Sequence, residues 1–211
     1  MTDVWSERAE AYKARTEQAE GEDLELLARW AVGCVTALDV ATGGGHAARR
    51  LRVAGLQVTT LDPAPGMAAD VLAPAEHIPF ADGAFDVVVC RIAPHHFPDV
   101  GTAVREMARV ARRFLLIEDT LFASDEVEHA ERLRDPSHVR SYTEKEWRGF
   151  LGDVGVWVEE AFVYEMRHPL DGWLGRTGAS EDDQAEVRRL IEPHVVDGAY
   201  VDRKLLLKGR K

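Results

Sequence analysis

The chain has 211 residues, 45% hydrophobic and 30% charged, which is enough to bury one substantial core and too few for two comfortable domains. Lys and Arg number 26 against 37 Asp and Glu, and the formal net charge of −11 excludes the basic footprint of a nucleic-acid binder. No apolar run is long enough to cross a bilayer, and the N-terminus mixes both charge signs with no signal-peptide pattern, so the expectation is a cytoplasmic protein with no membrane partner.

Residues 5 to 32 read as helical, with a break near Gly21. "VTALDV" then reads as a buried strand, "HAARRLRVAG" as a helix ending at Gly55, and "QVTTLD" as a second strand closing on Asp62. The Pro-rich segment after Asp62 is too broken for a long helix. "DVVVCRI" (Asp86 to Ile92) is the clearest strand, "PDVGTAVREMARVA" a helix, and "RFLLIEDT" (Arg113 to Thr120) the next strand. The basic cluster "RVARRF" (Arg109 to Phe114) reads as the solvated end of that helix. "SYTEKEWRGFLGDVG" has a helical middle capped by Thr143, "VWVEEAFVYEM" (Val156 to Met166) reads as strand, and Ser180 caps a helix in "GWLGRTGASEDDQAEVRRLIEPHV". "DRKLLLKGRK" closes the chain as a strand. Strands alternating with helices imply a parallel sheet covered on both faces, an α/β fold. Cys34 and Cys90 have neither metal-site nor disulfide spacing and are assigned to packing, and no metal site is visible.

The stretch "ALDVATGGGHAARRL" (Ala37 to Leu51) places three glycines between a strand and a helix, where a ligand can approach the backbone and meet unpaired N–H groups. Gly43, Gly45 and Ala48 satisfy the G-x-G-x-x-G/A pattern of a dinucleotide-binding dehydrogenase, with Asp62 about 20 positions on. Asp39 at the end of the strand argues the other way, because a carboxylate there repels a pyrophosphate and attracts a cation. S-adenosylmethionine, with its sulfonium and amino groups, matches that sign, and Asp62 can accept both ribose hydroxyls.

Together with "AEHIPFADGAFDVVVCRIAPHHF" and "LRDPSHVRSYTEKEW", these residues resemble class I S-adenosylmethionine-dependent methyltransferases, within them the UbiE-like branch, and in particular the bacterial YcgJ-type proteins. The resemblance covers almost the whole chain and implies a Rossmann-like, seven-stranded sheet with its last strand antiparallel and S-adenosylmethionine as methyl donor. It divides the single domain into an N-terminal helical cap (1–32), a donor-binding core (33–120) and an acceptor side with the C-terminal strands (121–211). Asp39, Gly43 and Gly45 match the family's acid and two of its loop glycines. Ala41 stands where the first glycine belongs, which is tolerable if its φ stays negative. The ribose-binding acid falls on Asp62. The adenine-contacting segment falls on Pro74, Ala75 and Glu76, so Pro74 replaces an acidic side chain. Only residues 63–73 are available for the family's next helix and strand, which implies a turn of helix around Gly66 to Ala69, a stub of edge strand at Asp70 to Leu72, and a more open adenine side.

Methyl transfer needs alignment and, for some acceptors, a base. His95 and His96 follow the fourth strand at the ligand-binding edge of the sheet and are candidate catalytic groups, although either imidazole could instead hold the loop backbone. Arg91 is a candidate ligand anchor or a structural ion-pair partner of Asp39 or Glu118. Asp119 suits a helix-capping role, and a carboxylate at Glu118 or Asp119 could alternatively receive a proton. Tyr12, on the N-terminal helix beside Arg15, and His138, Arg140 and Tyr142 in "DPSHVRSYTEKEW" are candidate acceptor contacts, against the alternatives of a solvated helix face and a surface loop. His46 is expected to face solvent or the donor. Trp157, Phe162, Tyr164 and Trp173 are assigned to packing. The expected partner is a small-molecule acceptor, and a non-catalytic S-adenosylmethionine-binding protein remains an alternative to the enzyme.

Overall fold

In the computed structural model, which describes residues 4–13 and 20–211, every strand belongs to one mixed sheet. Five parallel strands come first: β1 (Thr36–Val40), β2 (Gln57–Asp62), β3 (Val71–Leu72), β4 (Phe85–Arg91) and β5 (Ala111–Thr120). The C-terminal part adds β6 (Trp157–Pro169), a two-residue β7 (Val195–Val196) and β8 (Ala199–Arg210). The spatial order is β3-β2-β1-β4-β5-β8-β6, with β8 antiparallel to both β5 and β6, and β7 paired to β8 off that path. The seven-stranded expectation therefore describes the main path, and the small β7 hairpin is the eighth strand.

The apolar strands explain the two-sided burial. Leu38, Val40, Val88, Cys90, Leu115, Ile117, Leu205 and Leu207 point to one face, where Met107 of α4 (Val100–Val110) and Trp147 and Leu151 of α6 (Glu144–Asp153) cover them. The alternating residues Ala37, Val87, Val89, Leu116 and Leu206 point to the other, under Leu24, Leu27 and Trp30 of α2 (Glu22–Trp30) and Leu51 of α3 (His46–Val53). A separate cluster joins Ala130 of α5 (Asp125–Arg134), Trp173 and Leu174 of α7 (Leu170–Gly175), Val187 and Ile191 of α8 (Glu181–Ile191), and Tyr200. The N-terminal helix α1 (Val4–Lys13) docks on the turn Pro65–Met67, where Gly66 N donates to Ser6 Oγ at 2.7 Å and a Cβ on Gly66 would lie 2.6 Å from Ser6 Cα.

Thr143 forms a capping box with Glu146, and Ser180 accepts from Asp183 N, as the sequence implies. The segment after Asp62 is a three-residue 3-10 turn and the two-residue strand β3, as expected. Helix α5 has no counterpart in the sequence reading, although Ser124 caps it and Asp125, Glu126 and Glu128 fill its first turn. The cluster Arg109 to Phe114 is not a solvated helix end. The helix stops at Val110 and β5 begins at Ala111, while Arg109 donates to the carbonyls of Ile78 and Phe80 at 2.8 and 2.7 Å and pins the preceding loop.

Candidate active site

The glycine turn between β1 and α3 is held by the two acids that flank it. Asp39 Oδ2 accepts from Thr42 Oγ1 at 2.7 Å and from Ala48 N at 3.1 Å, which ties the end of β1 to the first turn of α3. Asp62 Oδ2 accepts from Gly43 N and its Oδ1 from Ala64 N, each at 3.0 Å, so this acid organises two loops at once. Gly43 and Gly45 have φ of +48° and +73°, the left-handed region where glycine carries no Cβ penalty. Ala41 has φ of +53°, so the condition for tolerating its methyl group without strain is not met; the turn keeps the backbone of a glycine and loads the methyl group with that strain.

One continuous cavity of about 440 Å³ runs from this turn past Asp62, Pro74, Ala75 and Glu76 to the ends of β4 and β5 and on beneath α5 and α7. Its size is that of a small-molecule site. Trp5 of α1 forms part of its wall, with the indole edge-on to the His96 ring at 4.7 Å, and Arg8 fastens α1 to the C-terminal part by bonds to Asp135 and to the Thr177 carbonyl. Leu72, on the two-residue strand β3, is 62% exposed at the edge of the sheet.

Carboxylates at the strand ends dominate the electrostatics. Burial pushes Asp39 up to about 6, against the hydrogen bonds from Thr42 and Ala48. Burial likewise raises Glu118 to about 7, opposed by Arg91, whose guanidinium is fixed between Asp23 of α2 and Glu118 at 2.7 and 3.1 Å from its Nε. Tyr164 donates to the other Glu118 oxygen at 2.6 Å. Arg91 lines the cavity and is tied to Asp23 and Glu118, so the ion pair with Glu118 that the sequence offered as one alternative is present.

Asp119, at the end of β5, caps no helix; Ser124 caps α5. Its fully buried carboxylate instead meets His95 Nδ1 in a short contact, and burial raises Asp119 to about 7 while lowering His95 to about 3. Burial also lowers His96, to about 3, and its Nδ1 donates to the Ser137 carbonyl at 3.0 Å. His138 lines the same cavity, with Nε2 2.8 Å from Glu128 Oε1. The far wall carries His168, Asp202 and Lys204, joined by His168 Nε2 to Asp202 Oδ2 at 3.2 Å, Lys204 Nζ to the same oxygen at 2.8 Å and to Thr120 Oγ1 at 2.6 Å. Burial works against charge on Asp202, and Lys204 and His168 outweigh it, holding the acid at about 2.

Of the residues read from sequence, Asp39, Ala41, Gly43, Asp62, Ala75, Glu76, Arg91, His95, His96 and His138 line the cavity. Gly45 does not; it is the left-handed residue that turns the chain into α3. Arg140 is exposed and bonded to Glu146, and Tyr142 packs edge-on against Trp147 and Phe150 in the core, so neither reaches the cavity. The side chain of Tyr12 and all of Arg15 lie outside the described residues. His46 is buried beside the cavity rather than solvent-facing, its Nδ1 2.7 Å from Arg49 Nη2. Trp173, assigned to packing, is both core and cavity wall. Sequence reading missed Glu131, Arg134, His168, Asp202 and Lys204, which only the folding of α5, β6 and β8 onto the sheet brings together.

The strand order, the glycine turn after β1, and the acids ending β1 and β2 around one cavity define a class I S-adenosylmethionine-dependent methyltransferase. The chain belongs to the Methyltransf_11 family of methyltransferase domains, whose model matches residues 38–114. It is 33% identical over 208 residues to the uncharacterised methyltransferase YcgJ of Bacillus subtilis strain 168, covering 87% of this chain and 82% of that one. A crystal structure of YcgJ from Bacillus subtilis superposes with a TM-score of 0.75 at 26% identity, covering 90% of this chain and 97% of that one. A methyltransferase structure from Bacillus halodurans C-125 gives a TM-score of 0.77 at 29% identity, covering 90% and 99%. Among the described residues no helix is long and apolar enough to cross a membrane.

Proposed function

We propose that this methyltransferase moves a methyl group from S-adenosylmethionine to a small molecule enclosed at the His95 end of the cavity. The observation that carries the reading is that the glycine turn and His95, which Asp119 backs through Nδ1, line the same cavity. The donor residues fit the group the family implies. Gly43 lets the backbone be approached closely, Asp62 offers a carboxylate suited to ribose hydroxyls, and Asp39 offers a buried acid for a cation. The bound donor supplies an electrophilic methyl on sulfur. Trp5 and the α1 cap exclude water from the neighbouring chamber, and Asp119 orients His95 through Nδ1 so that Nε2 can take a proton from the acceptor. Arg91 acts from behind, fixing the ends of β4 and β5.

Incubating the protein with isotopically labelled S-adenosylmethionine and a metabolite extract, followed by mass spectrometry, tests this. The expected result is a labelled small molecule heavier by one CH₂ unit. Label found only in macromolecules, or donor binding with no transfer to anything, would refute it, the latter favouring a non-catalytic donor-binding protein.

A further inference from the structure

His95 and His96 lie in the 3-10 turn Pro94–His96 after β4, and His138 in the loop that follows α5. Their ring centroids are separated by 4.1 Å (His95 to His96), 5.5 Å (His95 to His138) and 6.3 Å (His96 to His138). The two segments are locked together by Val139 N and Arg140 N, which both donate to the His95 carbonyl, at 2.9 and 3.1 Å.

Each ring commits one nitrogen to a group that accepts. His95 Nδ1 meets the Asp119 carboxylate, His96 Nδ1 the Ser137 carbonyl, and His138 Nε2 the Glu128 carboxylate. Ser137 Oγ, 3.3 Å from the same His96 nitrogen, gives its own hydrogen to Asp135 at 2.6 Å. An acceptor requires the N–H on the facing nitrogen, so in each neutral ring the opposite nitrogen carries a lone pair: His95 Nε2, His96 Nε2 and His138 Nδ1. Among the described residues these three nitrogens meet no hydrogen-bond partner, and all three residues line the cavity. No group of three or more His, Cys, Asp or Glu side chains among the described residues is arranged to hold a metal ion.

A chamber wall with three convergent lone pairs asks its occupant for several hydrogen-bond donors, because a lone pair set against another lone pair is repulsive and desolvation goes unrewarded. A hydroxyl acceptor brings a single O–H. Once His95 has taken that hydrogen, the oxygen presents only lone pairs to His96 and His138. A protonated primary amine brings three N–H groups, two to be held and one to be removed. We propose that the methyl acceptor is a primary amine, held by the free nitrogens of His96 and His138 and deprotonated by His95; this rests on the methyl-transfer reading above. In the balanced step, the ammonium loses one proton to His95 Nε2 and its freed lone pair forms the N–C bond. The methyl–sulfur bond breaks with its electron pair remaining on sulfur, and the imidazolium afterwards returns its proton to solvent.

The test uses the full chain. Binding of S-adenosylhomocysteine is measured first by calorimetry, and failure to bind overturns the methyl-donor reading itself. On ¹⁵N-histidine-labelled protein above neutral pH, ring-nitrogen spectra should show His95 and His96 protonated at Nδ1 and His138 at Nε2. The opposite tautomer at His96 or His138 overturns the proposal whether or not the donor binds. On the S-adenosylhomocysteine complex, the best of benzylamine, 2-phenylethylamine and hexylamine should bind at least about tenfold more tightly than its N,N-dimethyl and hydroxyl counterparts. It should also shift the three unprotonated ring nitrogens. His96→Phe, which keeps a ring against Trp5 and removes the lone pair, should abolish that preference while S-adenosylhomocysteine still binds. Equal binding of the alcohols or dimethylamines, or no binding of any of the three amines, overturns the proposal and leaves the donor reading standing.

Discussion

Asp39→Asn separates the stability cost of the donor pocket from its use. Asp39 is 2% exposed, and burial raises it from 3.8 to about 6. The folded state therefore holds this proton more tightly than the unfolded state. Below the unfolded value both states are protonated and no penalty exists; as pH rises through the folded value the native state is progressively penalised, and above it the loss is complete. A shift of roughly two units corresponds to a cost of about 3 kcal/mol at neutral pH. Asparagine keeps a carbonyl oxygen for Thr42 and Ala48 without the charge, but its amide N–H groups need partners in the cavity wall. We expect a net gain of about 1–2 kcal/mol in urea unfolding at about pH 8, falling to less than half of that at about pH 4. Calorimetry should show S-adenosylmethionine binding weakened at least about tenfold, because a charge-assisted contact is lost. Equal stability changes at the two pH values, or a destabilised variant at the higher one, would refute the reasoning.

Asp62→Ala should weaken S-adenosylhomocysteine binding by about 1.5–3 kcal/mol in calorimetry and also lower the melting temperature, since Gly43 N and Ala64 N lose their acceptor. Gly43→Val should abolish donor binding and, because φ is +48°, weaken the fold by about 1–3 kcal/mol in denaturant unfolding. His95→Ala should retain donor affinity and lose about 10²- to 10⁴-fold in turnover, measured by labelled methyl transfer. Arg140→Ala should leave both acceptor KM and kcat unchanged, since its guanidinium is spent on Glu146 away from the cavity.

The donor half of the site was legible because it is local. Asp39, the glycine turn and Asp62 lie within one strand–helix–strand unit, where sequence spacing sets spatial spacing. At Ala41 the sequence could state only a condition, because residue type does not fix conformation: the turn demands a left-handed φ, and the surrounding hydrogen bonds enforce it on an alanine. The acceptor half is different. His168 and Asp202 are 34 positions apart, and Lys204 and Thr120 are 84 apart; each pair forms only through the long β5–β8–β6 ladders. In the loop after α5, polarity alone could not tell His138, which reaches the cavity, from Tyr142, which turns into the core four residues later. Helix α5 carried a readable start signal at Ser124.

The buried acids divide by whether a Lys or Arg of the fold is paired with them. Glu118 has Arg91 and Tyr164, and Asp202 has Lys204, so these two are paired with a cation of the fold, although Asp202 Oδ1 meets no partner among the described residues, and they tie α2 to the sheet or β8 to β5. Asp39 and Asp119 are equally buried, yet among the described residues neither forms a salt bridge with Lys or Arg, and one Asp119 oxygen has no partner at all. A buried acid without a cationic partner holds its proton more tightly, as the raised values of Asp39 and Asp119 show, and that cost is relieved when a ligand or side chain supplies positive charge. On the proposed function, the cation of the donor would play that part for Asp39 and an imidazolium formed at His95 for Asp119, so the electrostatic cost carried by the free protein would be relieved first on donor binding and then at proton transfer.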